Sequence, residues 1–165
     1  MSKEIILEAN TLITSKTDLK GDIIYANDDF LKYAGYSMKE ILYKPHSIVR
    51  HPDMPKTVFK CLWDYIQEGK EIFAFVKNKT KYNDYYWVFT NVTASYDENG
   101  NIINYYSVRR KPKKEAIVVM EKIYQRLLEI EESDGIKAGV EELMKIVTSY
   151  KMNYNQLILT LQKKY

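Results

Sequence analysis

Eleven residues, Pro45-His46-Ser47-Ile48-Val49-Arg50-His51-Pro52-Asp53-Met54-Pro55, constrain this chain more than any other stretch. Each of its three prolines lacks an N–H and pushes the preceding residue toward extended backbone, so neither a helix nor a strand runs through it. The chain must cross here as a stiff, irregular connection between regular elements. The same stretch holds both of the chain's histidines, an arginine and an aspartate. A rigid crossing rich in hydrogen-bonding side chains is suited to holding something.

The flanking sequence is periodic. Leu12 to Thr17 reads as a strand, Lys20-Gly21-Asp22 as a turn, and Ile23 to Ala26 as a second strand. Asn27 is placed to cap a helix over Asp28–Ala34, with two acids in its first turn and Gly35 at its end. Ser37-Met38-Lys39-Glu40 has the form of a capping box. After the crossing, Val58, Cys61, Leu62, Tyr65 and Ile66 recur at helical spacing from Pro55 until Gly69. Three strands follow, over Glu71–Lys79, Tyr85–Tyr96 and Asn101–Arg110, the last two joined by an Asn-Gly hairpin signal. Residues 12–111 thus predict an α+β domain, a five-stranded antiparallel sheet with helices on one face. Residues 1–11 form an N-terminal segment. Residues 112–165 predict amphipathic helices over Lys113–Glu132, from Ile136, and beyond Asn153, with a break near 149–152 before the last.

Composition excludes several classes. A net charge of +3, without a Lys/Arg block, gives no field for nucleic acid. Cys61 is alone, so no intramolecular disulfide forms, as in a reducing compartment. The first ten residues carry Glu4 and Glu8 and lack a signal-peptide pattern, and no run approaches the roughly 18 apolar residues of a membrane span. A cytoplasmic location is expected, with any membrane association supplied by a partner. There is no nucleophile–base pair, phosphate-cradling glycine loop or metal-ligand spacing, so an enzyme is not expected.

A set of local motifs goes further. Ala26-Asn27-Asp28-x-Phe30, Gly35-Tyr36-Ser37-x-x-Glu40, the crossing itself, Phe59 with Trp63, Val76-Lys77-Asn78 and Tyr86-Trp87-Val88 together resemble the flavin-binding PAS domain of Aer-type energy-taxis receptors. The resemblance covers residues 10–111, and the chain's size is similar to that of the short soluble CetB-type proteins. It implies a FAD-binding redox sensor for energy taxis (aerotaxis) that signals through a separate membrane-bound, methyl-accepting-type chemotaxis transducer. By resemblance, Arg50, His51 and Asp53 are required to retain FAD.

Each candidate has a plainer role beside the functional one. Arg50 suits bidentate contact with phosphate or carbonyl oxygens, His51 donates or accepts, and Asp53 orients either; the same three also suit a local network that fixes the loop. Asn27 serves as a helix cap or a ligand contact. Phe59 and Trp63, four apart on one helix face, line a flat cavity or fill ordinary core. Asn78 is a ligand contact or a surface strand residue. Trp87 and Cys61 read as core. One departure from the resembled pattern stands out: a Trp-x-Gly run expected after Gly69 is Ile72-Phe73-Ala74 here, leaving Phe73 or Phe75 as substitutes for the missing wall.

Two rival readings remain. A haem-binding gas sensor would use His46 or His51 as axial ligand. A cofactor-free interaction module would use the tyrosine-rich sheet and the C-terminal helices. Those helices either cover the domain or pair with the transducer or a second copy of the chain.

Overall fold

The sheet begins at a turn built by one carboxylate. Asp18 accepts the N–H groups of Lys20 and Asp22, folding β1 (Ile13–Thr17) back onto β2 (Ile23–Ala26). Gly21 sits there at φ 93°, and a Cβ on it would lie 2.9 Å from the Trp63 ring. The glycine therefore satisfies both the backbone twist and the close approach of a helix side chain. In this computed structural model, which describes residues 1–164, the remaining elements of the domain follow in the expected order. They are α1 (Asp28–Ala34), α2 (Met38–Ile41), α3 (Lys56–Gln67), β3 (Ile72–Lys79), β4 (Tyr85–Tyr96) and β5 (Ile102–Arg110). Ser37 and Glu40 close the capping box of α2.

The proline-rich crossing differs from expectation in one detail. His46–Val49 forms a single 3-10 turn, because the proline-free stretch after Pro45 is long enough for two i→i+3 bonds. These run from Ile48 N–H to the Pro45 carbonyl and from Arg50 N–H to the Ser47 carbonyl. The prolines still stop it from propagating.

All five strands are antiparallel, in the order β2-β1-β5-β4-β3. The register places Val76, Asn78, Thr90, Val92, Tyr105, Ser107 and Arg109 on one face, toward α3. Phe73, Phe75, Lys77, Trp87 and Phe89 occupy the other. Strand alternation alone enforces this division.

The C-terminal chain folds back as α4 (Lys114–Asp134), α5 (Ile136–Ser149) and α6 (Tyr154–Lys164). The expected break falls at residues 150–153. Trp87, read as core, is buried on the outer face by stacking on Tyr124 of α4. The free edge of β3 is closed bond by bond. Asn155 accepts the Phe73 N–H and donates to the Glu71 carbonyl, Tyr124 donates to the Phe75 carbonyl, and Met54 and His51 engage the two backbone groups of Lys77. An edge left open would template pairing with another chain. Met120, Leu127 and Ile158 are fully buried, each worth roughly 1.5–3 kcal/mol relative to exposure. Among the described residues, no helix is long and apolar enough to cross a membrane.

Candidate functional site

A cavity of about 240 Å³ lies between α3 and the inner face of the sheet. Helix α3 supplies Phe59, Leu62, Trp63 and Ile66, one stripe at helical spacing. Strands β3 and β4 supply Val76, Asn78, Thr90 and Val92, and β5 supplies Tyr105, Ser107 and Arg109. The proline-rich crossing contributes Pro45, His46, Ser47, Val49 and Arg50. Lys20, Pro45 and Ser47 are exposed and mark its rim. Trp63 meets Tyr105 edge-on, with ring centroids 5.7 Å apart.

Four of the sequence-predicted residues meet here: Arg50, Phe59, Trp63 and Asn78. The Arg50 guanidinium lies 3.7 Å over the Phe59 ring, a cation–π contact that also fixes the ring. Its Nε is buried without a hydrogen-bond partner, and burial lowers its pKa. An isolated backbone bridge joins Arg50 to Asn78, so the crossing is pinned to β3 at the cavity wall. Asn78 is buried, which removes the surface-strand reading.

Three expected site residues are placed elsewhere. Asn27 is spent on structure: its Oδ1 accepts the N–H groups of Phe30 and Thr14, and its Nδ2 donates to the Leu12 carbonyl. It caps α1 and ties it to β1, and it does not line the cavity. His51 and Asp53 lie on the far side of the crossing. His51 Nδ1 accepts the Asp53 N–H, and the Asp53 carboxylate takes the Lys77 ammonium at 2.9 Å. Lys77 points to the outer face, so this pair clamps the loop to the edge of β3. The side-chain bond to Lys77 is the main reason the Asp53 carboxyl titrates below its usual range. For His51 and Asp53, the loop-fixing role is the one the geometry displays. Phe73 and Phe75 also correct an expectation: both face outward, so neither replaces the missing tryptophan wall.

One residue, Arg109, escaped the reading of the site, and His46 entered it only as a haem ligand. Arg109 is 5 % exposed and lies at the sheet end of the cavity. Its Nη2 donates to Ser15 Oγ at 3.0 Å and to His46 Nε2. An arginine has only donors to offer, so His46 Nε2 is the acceptor and the ring proton sits on Nδ1. Burial, reinforced by the charges of Arg109 and Arg50, holds the His46 pKa well below its ordinary value. Burial lowers that of Arg109 to about 10. The alternation Tyr105, Ser107, Arg109 was the available signal, since it places one of the two adjacent arginines inward. With its Nε2 engaged beside a cation, His46 is poorly disposed to take a metal as axial ligand. Cys61 is buried on α3, its pKa raised to about 11 mainly by desolvation, consistent with a small apolar role.

Comparisons with known proteins fit this geometry. Residues 23–109 match the family model described as PAS fold. The chain is 39 % identical over 121 residues to the aerotaxis receptor of Escherichia coli (strain K12), spanning 73 % of this chain but only 24 % of that protein. It is 27 % identical over 93 residues to the bacterioopsin transcriptional activator of Halobacterium salinarum, across 56 % of this chain and 14 % of the other. Among solved structures, the light-state and dark-state LOV domains of the blue-light photoreceptor Aureochrome1 superpose with TM-scores of 0.57 and 0.56, at 25 % and 27 % identity. Each covers 72 % of this chain; the chain covers 91 % and 86 % of them, respectively. A light-oxygen-voltage domain studied with a flavin analogue gives a TM-score of 0.58 at 22 % identity, covering 70 % of this chain and 86 % of that one. With the family model spanning more than half its length and the same five-stranded sheet built around a cavity, this chain belongs to the PAS-fold family.

Proposed function

We propose that the chain is a FAD-binding redox sensor for energy taxis, with the isoalloxazine ring in the cavity between α3 and the sheet. The observation that carries this reading is the cavity's make-up: flat apolar walls from Phe59, Trp63 and Tyr105, with buried donors from Arg50, Asn78 and Arg109 at their edges. A flavin ring offers flat faces to such walls and a rim of carbonyl oxygens and ring nitrogens to such donors. About 240 Å³ falls below the roughly 300–1,000 Å³ of pockets that enclose a whole small ligand. It accommodates a ring system and leaves the rest of a dinucleotide outside, past the exposed rim. Lys20 on that rim supplies a cation for a diphosphate. The aerotaxis receptor relative and the LOV neighbours support the same reading.

When bound, the flavin supplies reversible uptake of electrons from its surroundings. The protein's part is differential. Signal arises only if Arg50, Asn78 and Arg109 interact unequally with the two redox states, because equal binding shifts no equilibrium. Such a change reaches α3 first, through Phe59 and Trp63, and then the helices packed on it. His51 and Asp53 act through Arg50 by holding its loop. The reading carries no catalytic turnover. The partner is a separate membrane-bound chemotaxis transducer, as for the CetB-type proteins, and it brings this chain to the membrane.

The test is flavin content per chain after acid release from purified wild type and from Arg50→Ala, Trp63→Ala and Asn78→Ala. Wild type retains FAD, and each variant stays folded but loses most of it. Full flavin content in all three variants sinks the site assignment.

A further inference from the structure

The turn from β5 into α4 gathers positive charge that its surroundings leave unanswered. Arg110, Lys111, Lys113 and Lys114 are all exposed, as is Lys163 near the end of α6. Gln162 ties α6 to this turn: its Oε1 accepts the Lys113 N–H at 2.9 Å, and its Nε2 donates to the Lys111 carbonyl at 3.2 Å. With Pro112 between those two bonds, the backbone that carries the lysines is fixed. Among the described residues, none of the five cations forms a salt bridge. Elsewhere Lys60, Lys70, Lys77, Lys81 and Arg126 are each matched to a carboxylate. Residues 110–118 contain one acid, Glu115, so the patch holds more positive charge than the whole chain's net +3. The rest of the molecule is then slightly negative, and the charge is polarised toward this turn. Lys113 and Lys114 also stand at the start of α4, where the helix dipole favours acids, so local stability does not account for them. Val118, 53 % exposed, follows one turn after Lys114 on the same side of α4.

We propose that this patch docks the chain on an anionic lipid surface, its cations meeting phosphate-bearing headgroups and Val118 resting at the headgroup boundary. The chemistry favours a membrane over other polyanions. Four of the five cations are lysines, compact point charges that suit a diffuse negative surface, whereas a defined anion calls for the bidentate fork of arginine. The cores of protein interfaces are depleted of lysine and built on aromatic anchors, and residues 110–118 contain no aromatic side chain. The same lack leaves nothing there on which nucleic-acid bases would stack. The contact is the chain's own, additional to the proposed transducer and independent of what the cavity holds.

The experiment sediments the 165-residue chain with vesicles of phosphatidylcholine alone and of an equal mixture with phosphatidylglycerol. Binding is expected to the mixed vesicles and not to the neutral ones. It should be present at about 0.1 M salt and lost toward 1 M, as the Debye length shrinks from roughly 10 to 3 Å. Replacing Lys111, Lys113 and Lys114 together by glutamine should weaken binding at least tenfold, since each lysine near an anionic surface contributes a factor of roughly five. Lys137→Gln with Lys145→Gln removes two exposed charges from α5 instead and should leave binding near the wild-type level. The replaced side chains are exposed, so every variant should keep the wild-type melting temperature; should the triple variant fail to fold, Arg110→Gln with Lys163→Gln asks the same question. No binding to the mixed vesicles, equal binding to the neutral ones, or an equal loss from the α5 pair overturns the proposal. Tighter binding to double-stranded DNA than to the mixed vesicles, at one salt concentration, makes the patch a nucleic-acid surface and overturns the membrane assignment.

Discussion

At the residue scale, the site is a set of polar groups held short of satisfaction. Arg50 Nε and Arg109 Nη1 are buried without partners, beside a neutral His46. The histidine gives a pH prediction whose sign is fixed. Its folded pKa lies well below 6.5, so under mildly acidic conditions the unfolded chain binds a proton that the folded chain refuses. Stability is full above the unfolded value and is lost as pH falls from about 6.5 toward the folded one, by up to ~1.4 kcal/mol per pH unit. His51, lowered mainly by desolvation, adds in the same direction. Melting of the ligand-free chain should therefore drop between pH 7.5 and 5.5, and His46→Gln should remove most of that slope. A His46→Gln variant with the wild-type slope would contradict the burial of His46. Part of this site was legible and part was not. Phe59 and Trp63 announced themselves by helical spacing, and Asn78 by its motif. Arg109 did not, because it lies 63 residues from His46 in sequence and meets it only through strand pairing. His51 and Asp53 misled for the converse reason: their motif is local, but the crossing's turn at Pro52 directs them to the outer edge while Arg50 points in.

At the element scale, α3 walls the cavity, and its start is capped from another helix. Pro55 gives it no side-chain cap. Instead Glu131 of α4 accepts both the N–H and the hydroxyl of Thr57, the latter at 2.6 Å. A carboxylate at a helix N-terminus satisfies an orphan donor and meets the positive end of the dipole. Glu131→Ala should cost about 0.5–2 kcal/mol in urea unfolding, with Glu131→Gln retaining part of it. Gly139 of α5 seals the same junction. A Cβ there would lie 2.1 Å from Thr57 Oγ1, so the α5–α3 approach requires its absence. Gly139→Ala should destabilise by at least as much as Glu131→Ala; a neutral effect would mean that α5 does not pack on α3 as described. The elements themselves were readable to within one or two residues, because capping boxes, turn glycines and strand alternation are local signals. The trans-cap was not, since nothing local ties Thr57 to Glu131.

At the scale of the whole molecule, the C-terminal helices belong to the domain's stability. They cover Trp87 and Phe75 on the outer face and close the edge of β3. Their amphipathic stripes pointed to covering ahead of pairing, and the fold shows the covering. Truncation after Lys111 should expose this surface, raising binding of a hydrophobic dye and causing self-association. A truncated chain that stays monomeric with an unchanged melting temperature would show that the helices are an independent appendage. The same packing connects the cavity-facing side of α3 through Thr57 to α4 and α5. That connection matters only if the cavity holds what its walls are shaped for. The most direct measurement is the visible absorption spectrum of the freshly purified 165-residue chain, followed by the mass of the released chromophore. The account predicts flavin absorption that bleaches on reduction and a chromophore with the mass of FAD; a colourless, well-folded protein that gains no flavin absorption on incubation with excess FAD would contradict it.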